Sequence, residues 1–155
     1  MVKLSEEKDD TAGDEFRVVM LNNFLQNVQN NYLESILNIA AHRAITSLTL
    51  YMLKTDSYLS NLDSQFSEVV LTGNIEGVPI DTITQQNIMA GNTLNDWILQ
   101  IENIAKTTFG VELDIKVIDS AAISQSSPWI VSVQSDMSIN LTDKTVSWNI
   151  ARKTI

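Results

Sequence analysis

Between Asp14 and Thr55 the chain carries neither glycine nor proline. Nothing in this stretch breaks a helix, and its apolar residues recur at helical spacing. Val18, Leu21, Leu25, Val28 and Tyr32 follow one another at alternating steps of three and four, which is an a/d seam over two heptads. The opposite face carries Asn22, Asn23, Gln26, Asn27, Gln29, Asn30 and Asn31. Asparagine competes with the backbone for hydrogen bonds, so packing along the seam, not propensity, must hold this half. From Glu34 onward the apolar residues thicken: Ile36, Leu37, Ile39, Ala40, Ala41, Ala44, Ile45, Leu48, Tyr51 and Met52 cover more than half the circumference. That half belongs in a core. At 1.5 Å per residue, about forty residues span roughly 60 Å. A globule of this length has a radius of gyration of only about 15 Å. The helix must therefore break, or its first half must project as a stalk.

The rest of the chain is punctuated. Residues 1–13 are polar and acidic and end in Gly13, the pattern of a flexible lead-in. A second helix is expected over Ser57–Leu71, with Gly73 placed to end it. Gly73 to Pro79 is a turn-rich connection, and a short helix is expected over Thr82–Met89. Thr93-Leu94-Asn95-Asp96 has the form of a capping box with Asp in place of Glu. It opens a helix whose buried stripe is Leu94, Trp97, Ile98, Ile101, Ile104 and Ala105, stopped by Gly110. The period then changes from 3.6 to 2. Val111, Leu113, Ile115 and Val117 alternate with Glu112, Asp114, Lys116 and Ile118. A Ser- and Ala-rich loop is expected over Asp119–Pro128. A second strand begins at Trp129, with a break near Ser135-Asp136, and a turn at Asp143-Lys144 leads to a third strand through Val146, Trp148 and Ile150. The fold class is α+β: a long N-terminal helix and two or three further helices packed on a C-terminal three-stranded antiparallel sheet. Residues 14–155 form one domain.

Composition narrows the chemistry. A net charge of −9 repels nucleic-acid phosphates and anionic lipid, so no nucleic acid partner is expected. Without cysteine there are no disulfides, thiolate metal sites or cysteine nucleophiles. No run of apolar residues is long enough to span a bilayer.

His42 is the one side chain with a near-neutral ordinary pKa, and it is read as a hydrogen-bonding residue at the core edge rather than as a catalyst. Glu112 and Asp114 share a strand face with Lys116 and form a charge-balanced solvated face rather than a metal site. Ser124-Gln125-Ser126-Ser127-Pro128-Trp129 lacks the glycines of a nucleophile turn, and Trp129 is read as a core plug. Asn140-Leu141-Thr142 matches the N-glycosylation pattern. No catalytic, cofactor-binding or metal residue is therefore assigned. The seam Val18, Leu21, Leu25, Val28 and Tyr32 remains as the possible assembly surface, or else as a helix face packed on its own domain.

Three segments, taken in order, resemble a known group. They are Leu21-Asn22-Asn23-Phe24-Leu25 leading to Ala41-His42-Arg43-Ala44-Ile45, then Thr93-Leu94-Asn95-Asp96-Trp97, then Pro128-Trp129-Ile130-Val131-Ser132-Val133 with Asn140-Leu141-Thr142-Asp143 and Trp148. The order is similar to archaeal membrane-anchored proteins, pilin-like or secretion-associated in outline, in which a transmembrane helix precedes an extracytoplasmic domain. The chain departs from that pattern in carrying no transmembrane helix, so an anchor is expected outside this sequence. The resemblance implies an extracytoplasmic, non-enzymatic domain serving cell-surface assembly or protein interaction, with a protein partner or self-association through the N-terminal helix. A small-molecule sensor or binding domain is the alternative.

Overall fold

A computed structural model describes residues 6–128, 130–144 and 146–155, with the backbone alone for residues 6–11 and Ser120. Helix α1 (Glu6–Asn27) passes through a five-residue π-helical turn (Val28–Tyr32) into α2 (Leu33–Thr55). Within the lead-in expected through Gly13, residues 6–13 are thus helical, and residues 1–5 lie outside the described part. The projecting stalk is corrected too. Leu21, Phe24, Leu25 and Val28 are buried in the same core as α2, so the first half of the helix is packed against its own domain from about Arg17 onward.

The π turn explains how both halves bury one face. The Leu33 amide donates to the Val28 carbonyl, five residues back. A π turn accommodates one extra residue, so the buried position after Val28 falls on Leu33 and not on Tyr32. Val28 and Leu33 are fully buried, whereas Tyr32 is 46% exposed.

Asp56, at a left-handed φ of 50°, ends α2. Helix α3 (Leu62–Thr72) starts later than the expected Ser57, because Asn61 supplies the cap: its side chain accepts from the Ser64 amide at 3.1 Å. Gly73 ends α3 at φ 73°, where a Cβ would stand 3.2 Å from both Met89 Cβ and Thr93 Cγ2. A two-residue hairpin follows, β1 (Asn74–Ile75) with β2 (Val78–Pro79). The Glu68 carboxylate holds its turn by accepting from the amides of Glu76 and Gly77 at 2.9 and 2.8 Å.

Helix α4 (Ile80–Thr84) is shorter than expected and earlier, since Gln85 takes a left-handed φ of 58°. The stretch Ile88–Ala90, expected to end that helix, is instead gathered by Asp81. Its carboxylate accepts from the amides of Ile88, Met89 and Ala90 at 3.1, 2.9 and 2.8 Å. Arg43 on α2 donates to the Ile88 carbonyl at 3.0 Å. Asp81→Ala strands three amides at once and is expected to destabilise the fold by about 2–3 kcal/mol, measured as a lower denaturant midpoint.

Helix α5 (Leu94–Ile104) opens on the expected capping box. The Thr93 amide donates to Asp96 Oδ2 at 3.0 Å, and the Asp96 amide donates to Thr93 Oγ1 at 3.1 Å. A second π turn (Ala105–Phe109) closes this helix, and Phe109 stacks on Phe24 with ring centroids 4.5 Å apart.

Strands β3 (Glu112–Ser127), β4 (Ile130–Thr142) and β5 (Ser147–Thr154) form an antiparallel sheet in that order. The expected loop over Asp119–Pro128 is strand as far as Ser127. Three register shifts, between Val117 and Asp119, Asp119 and Ala122, and Gln125 and Ser127, break its alternation without ending its pairing. β4 runs unbroken through Ser135 and Asp136. The turn at Asp143 is present, its amide donating to the Val146 carbonyl at 2.8 Å. Trp129, read as a core plug, lies outside the described residues. Leu113, Ile115, Met137, Ile139 and Leu141 face the helices and join one continuous core.

Candidate functional site

The five seam residues do not form a shared surface. Leu21, Leu25 and Val28 are buried within the chain, Val18 is half-buried and only Tyr32 is exposed. A face already used to close the domain is not free to bind, so the assembly seam is corrected to a core face. His42 lies exposed on α2 rather than at a core edge. Asp114 and Lys116 pair at 2.8 Å on the solvated side of β3, and this contact holds the lysine above its ordinary pKa. Asn140 is exposed in the middle strand, opposite Asp114 on β3 and Asn149 on β5.

Two ionic clusters stand out, and both brace the frame. Arg17 on α1 donates through Nε to Asp143 Oδ2 at 2.7 Å and through Nη2 to Asp143 Oδ1 at 2.9 Å. The same guanidinium reaches the Phe109 carbonyl at 3.2 Å. It ties α1 to the β4–β5 turn and to the end of the second π turn. The Arg17 contact holds the Asp143 carboxyl down at about 2. At the other end of the sheet, Asp136 accepts from Thr154 Oγ1 at 2.6 Å and from Arg152, which also donates to Asp119 at 3.0 Å. The Thr154 hydroxyl first, and Arg152 second, hold Asp136 below the usual carboxylate range. This cluster fastens the last residues of β5 to β4.

Beyond that fastening, β4 pairs on one side only among the described residues. β5 pairs with Asp136–Thr142, and Ile155 exchanges both backbone hydrogen bonds with Ser135 at 3.2 and 3.0 Å. From Gln134 back to Ile130 the strand pairs with β3 alone. Main-chain groups two residues apart in a strand point to the same side. Ser135 directs its amide and carbonyl toward β5, so Val133 and Val131 direct theirs to the same side. Ile130 and Val131 are 56% and 48% exposed.

Beneath this edge runs α2. A hollow of about 400 Å³ lies between Glu34, Leu37 and Asn38 on the helix and Val133, Lys153 and Ile155 on the sheet. A second, of about 240 Å³, lies between Ile45, Leu48 and Met52 and the strand residues Ile123 and Val131. Val131 and Val133 are neighbours on one face of β4, so the two hollows follow the same strand edge. Asn38, His42, Ile45 and Thr49 fall on one flank of α2 by helical spacing and line the path between them.

This site escapes a motif search because it contains no chemistry-bearing pattern. Its sequence signal is a scarcity of charge in two of the segments that line it, although Glu34 and Lys153 stand at one end. No Asp, Glu, Lys or Arg occurs from Ser120 to Ser135, and no acid occurs on α2 from Ser35 to Thr55, in a chain of net charge −9. Comparison with protein-family models, with curated proteins and with solved structures finds no match to the chain.

Proposed function

We propose that the chain is a non-enzymatic protein-interaction domain, the extracytoplasmic part of a membrane-anchored archaeal protein that serves assembly at the cell surface. One observation carries the interaction reading: the groove between α2 and β4, flanked by the exposed and uncharged strand residues Ile130–Gln134. Exposed strands are natural templates for pairing with another chain, and proteins usually guard them with charge or proline. Ile130–Gln134 carries neither. The setting rests on the resemblance of the three segments around Leu21, Thr93 and Pro128. Binding of a small molecule has less support. The more apolar hollow, about 240 Å³, falls below the roughly 300 Å³ of typical ligand sites. The larger one is an open cleft lined mainly by polar side chains.

The absence of cysteine makes the setting testable. A single Lys106→Cys variant of the host protein is expected to react with a membrane-impermeant maleimide on intact cells, and labelling only after lysis overturns the extracytoplasmic placement. A photo-crosslinking residue at Ile130 is expected to give one discrete adduct, absent when the crosslinker replaces Leu99 on α5 and lost when Ser132→Lys is added. Equal adducts from both positions, or none, overturn the interaction reading.

A further inference from the structure

The two faces of the sheet differ in kind. Met137, Ile139 and Leu141 on β4 turn inward to the helices, and the residues between them turn outward. The outward positions Glu112, Asp114, Lys116, Thr142, Ser147 and Asn149 are all exposed and polar. Asn140 stands among them, exposed in the middle strand, opposite Asp114 on one side and Asn149 on the other. Of the chain's asparagines, Asn140 alone opens the N-glycosylation pattern, here Asn140-Leu141-Thr142. Strand alternation puts both polar members of that pattern on the outer face, while Leu141 between them is fully buried. Asn149 shares the face and the exposure but runs into Ile150-Ala151, which breaks the pattern.

We propose that Asn140 is a glycosylation acceptor whose sugar covers the outer face of the sheet. The inference rests on the extracytoplasmic reading above, since the pattern is used in exported proteins. The donor is a sugar carried on a polyprenyl phosphate. Asn140 Nδ2 attacks the anomeric carbon, a C–N bond forms and the C–O bond to phosphate breaks. The phosphate leaves with the bonding pair, and the amide proton passes to a base on the transferase. Nothing is oxidised or reduced. In the folded chain the strand at Asn140 is paired on both sides, so it cannot be drawn into an enzyme's cleft. β5 begins only at Ser147, which leaves Asn140 and Thr142 accessible until β5 pairs. The sugar is therefore attached before the sheet closes. A bulky hydrophilic group on this face leaves the groove between α2 and β4 open, because Val131 and Val133 line that groove from the helix side.

Trypsin cuts at Lys116 and Lys144, and Asn140 is the only asparagine in the peptide 117–144. Mass spectrometry of the protein isolated from its own host is expected to show this peptide heavier by one or more sugar residues. The peptide 145–152, which carries Asn149, is expected at its unmodified mass. Asn140→Gln and Thr142→Val are expected to abolish the added mass, and Thr142→Ser to retain it. Both positions are exposed, so the three variants should keep the wild-type circular dichroism. Host membranes, which hold donor and transferase, are expected to modify the denatured chain and not the folded one. An unmodified 117–144 peptide overturns the proposal, as does added mass that survives Asn140→Gln. If that peptide is unmodified while Lys106→Cys is labelled on intact cells, the extracytoplasmic reading stands and the acceptor alone is wrong. Labelling only after lysis, with the peptide unmodified, overturns both.

Discussion

Leu21→Ala is expected to cost about 2–5 kcal/mol of folding stability and to lower the melting temperature by about 10 °C. Leu21 is among the largest fully buried side chains, and it lies on the helix half that its sequence makes look like a stalk. Removing three carbons there leaves a cavity against Phe24, Leu25 and the sheet-facing core, which a well-packed interior relaxes into only partly. Asn22→Ala, one residue further along, faces solvent and is expected to change stability by less than about 0.5 kcal/mol. Chemical denaturation of the two variants side by side decides the matter. A stalk would give both the same small effect, and a loss confined to Leu21 places this half of the helix in the core.

The second large effect is expected at the Arg17–Asp143 pair. The Asp143 carboxyl, ordinarily near 3.8, is held at about 2 in the folded chain. A carboxyl with a depressed folded pKa binds its proton more readily in the unfolded state. Its contribution is therefore complete above pH 3.8 and is lost as pH falls from there toward about 2. Asp143 is only 3% exposed but Arg17 is 38% exposed, so solvent screens part of the interaction. A contribution of about 1–2 kcal/mol follows. Asp143→Asn should show that deficit at pH 7 and converge on the wild type near pH 2. Arg17→Met is expected to be worse at pH 7, by about 2–3 kcal/mol, because it leaves a buried carboxylate without its cation. In that variant the Asp143 carboxyl should titrate far above 2, which carboxyl NMR measures. A wild-type midpoint that does not fall between pH 4 and pH 2 relative to Asp143→Asn would exclude this account.

What was legible in the sequence is what short-range chemistry specifies. The box at Thr93 and Asp96 needs only residues three apart, and the alternation from Val111 to Val117 needs only a pleat, so both the α5 start and the first half of β3 could be placed. Features set by tertiary demand could not. Gln85 takes a left-handed conformation that gives no signal in its side chain, so α4 ends at Thr84 and not at Met89, whereas the end of α2 at Thr55 lies where the sequence puts it. Three register shifts erased the period of β3 after Val117, so paired strand looked like loop. The burial of α1 depends on Arg17 finding Asp143 and on Phe24 finding Phe109, contacts from distant parts of the chain. The candidate groove was hidden for a different reason. It lies between α2 and β4, elements far apart in the chain, and its one local mark is the stretch without charge from Ser120 to Ser135.

The π turn at Val28–Tyr32 also bears on what changes of length the protein can accept. It holds one residue more than a regular helix needs between the two faces it aligns. Deleting Asn30 or Asn31, both exposed, would leave Val28 and the present Leu33 four apart, the ordinary α-helical step. The turn can then revert to α-helix with both residues still directed into the core. The same deletion at Asn38 or Thr46 would rotate every later side chain of α2 by about 100° and scramble the interior. Single-residue length variation among natural versions of this chain should therefore gather in the asparagine-rich turn, and a matched pair of deletion variants, one there and one in α2, should differ in whether they fold.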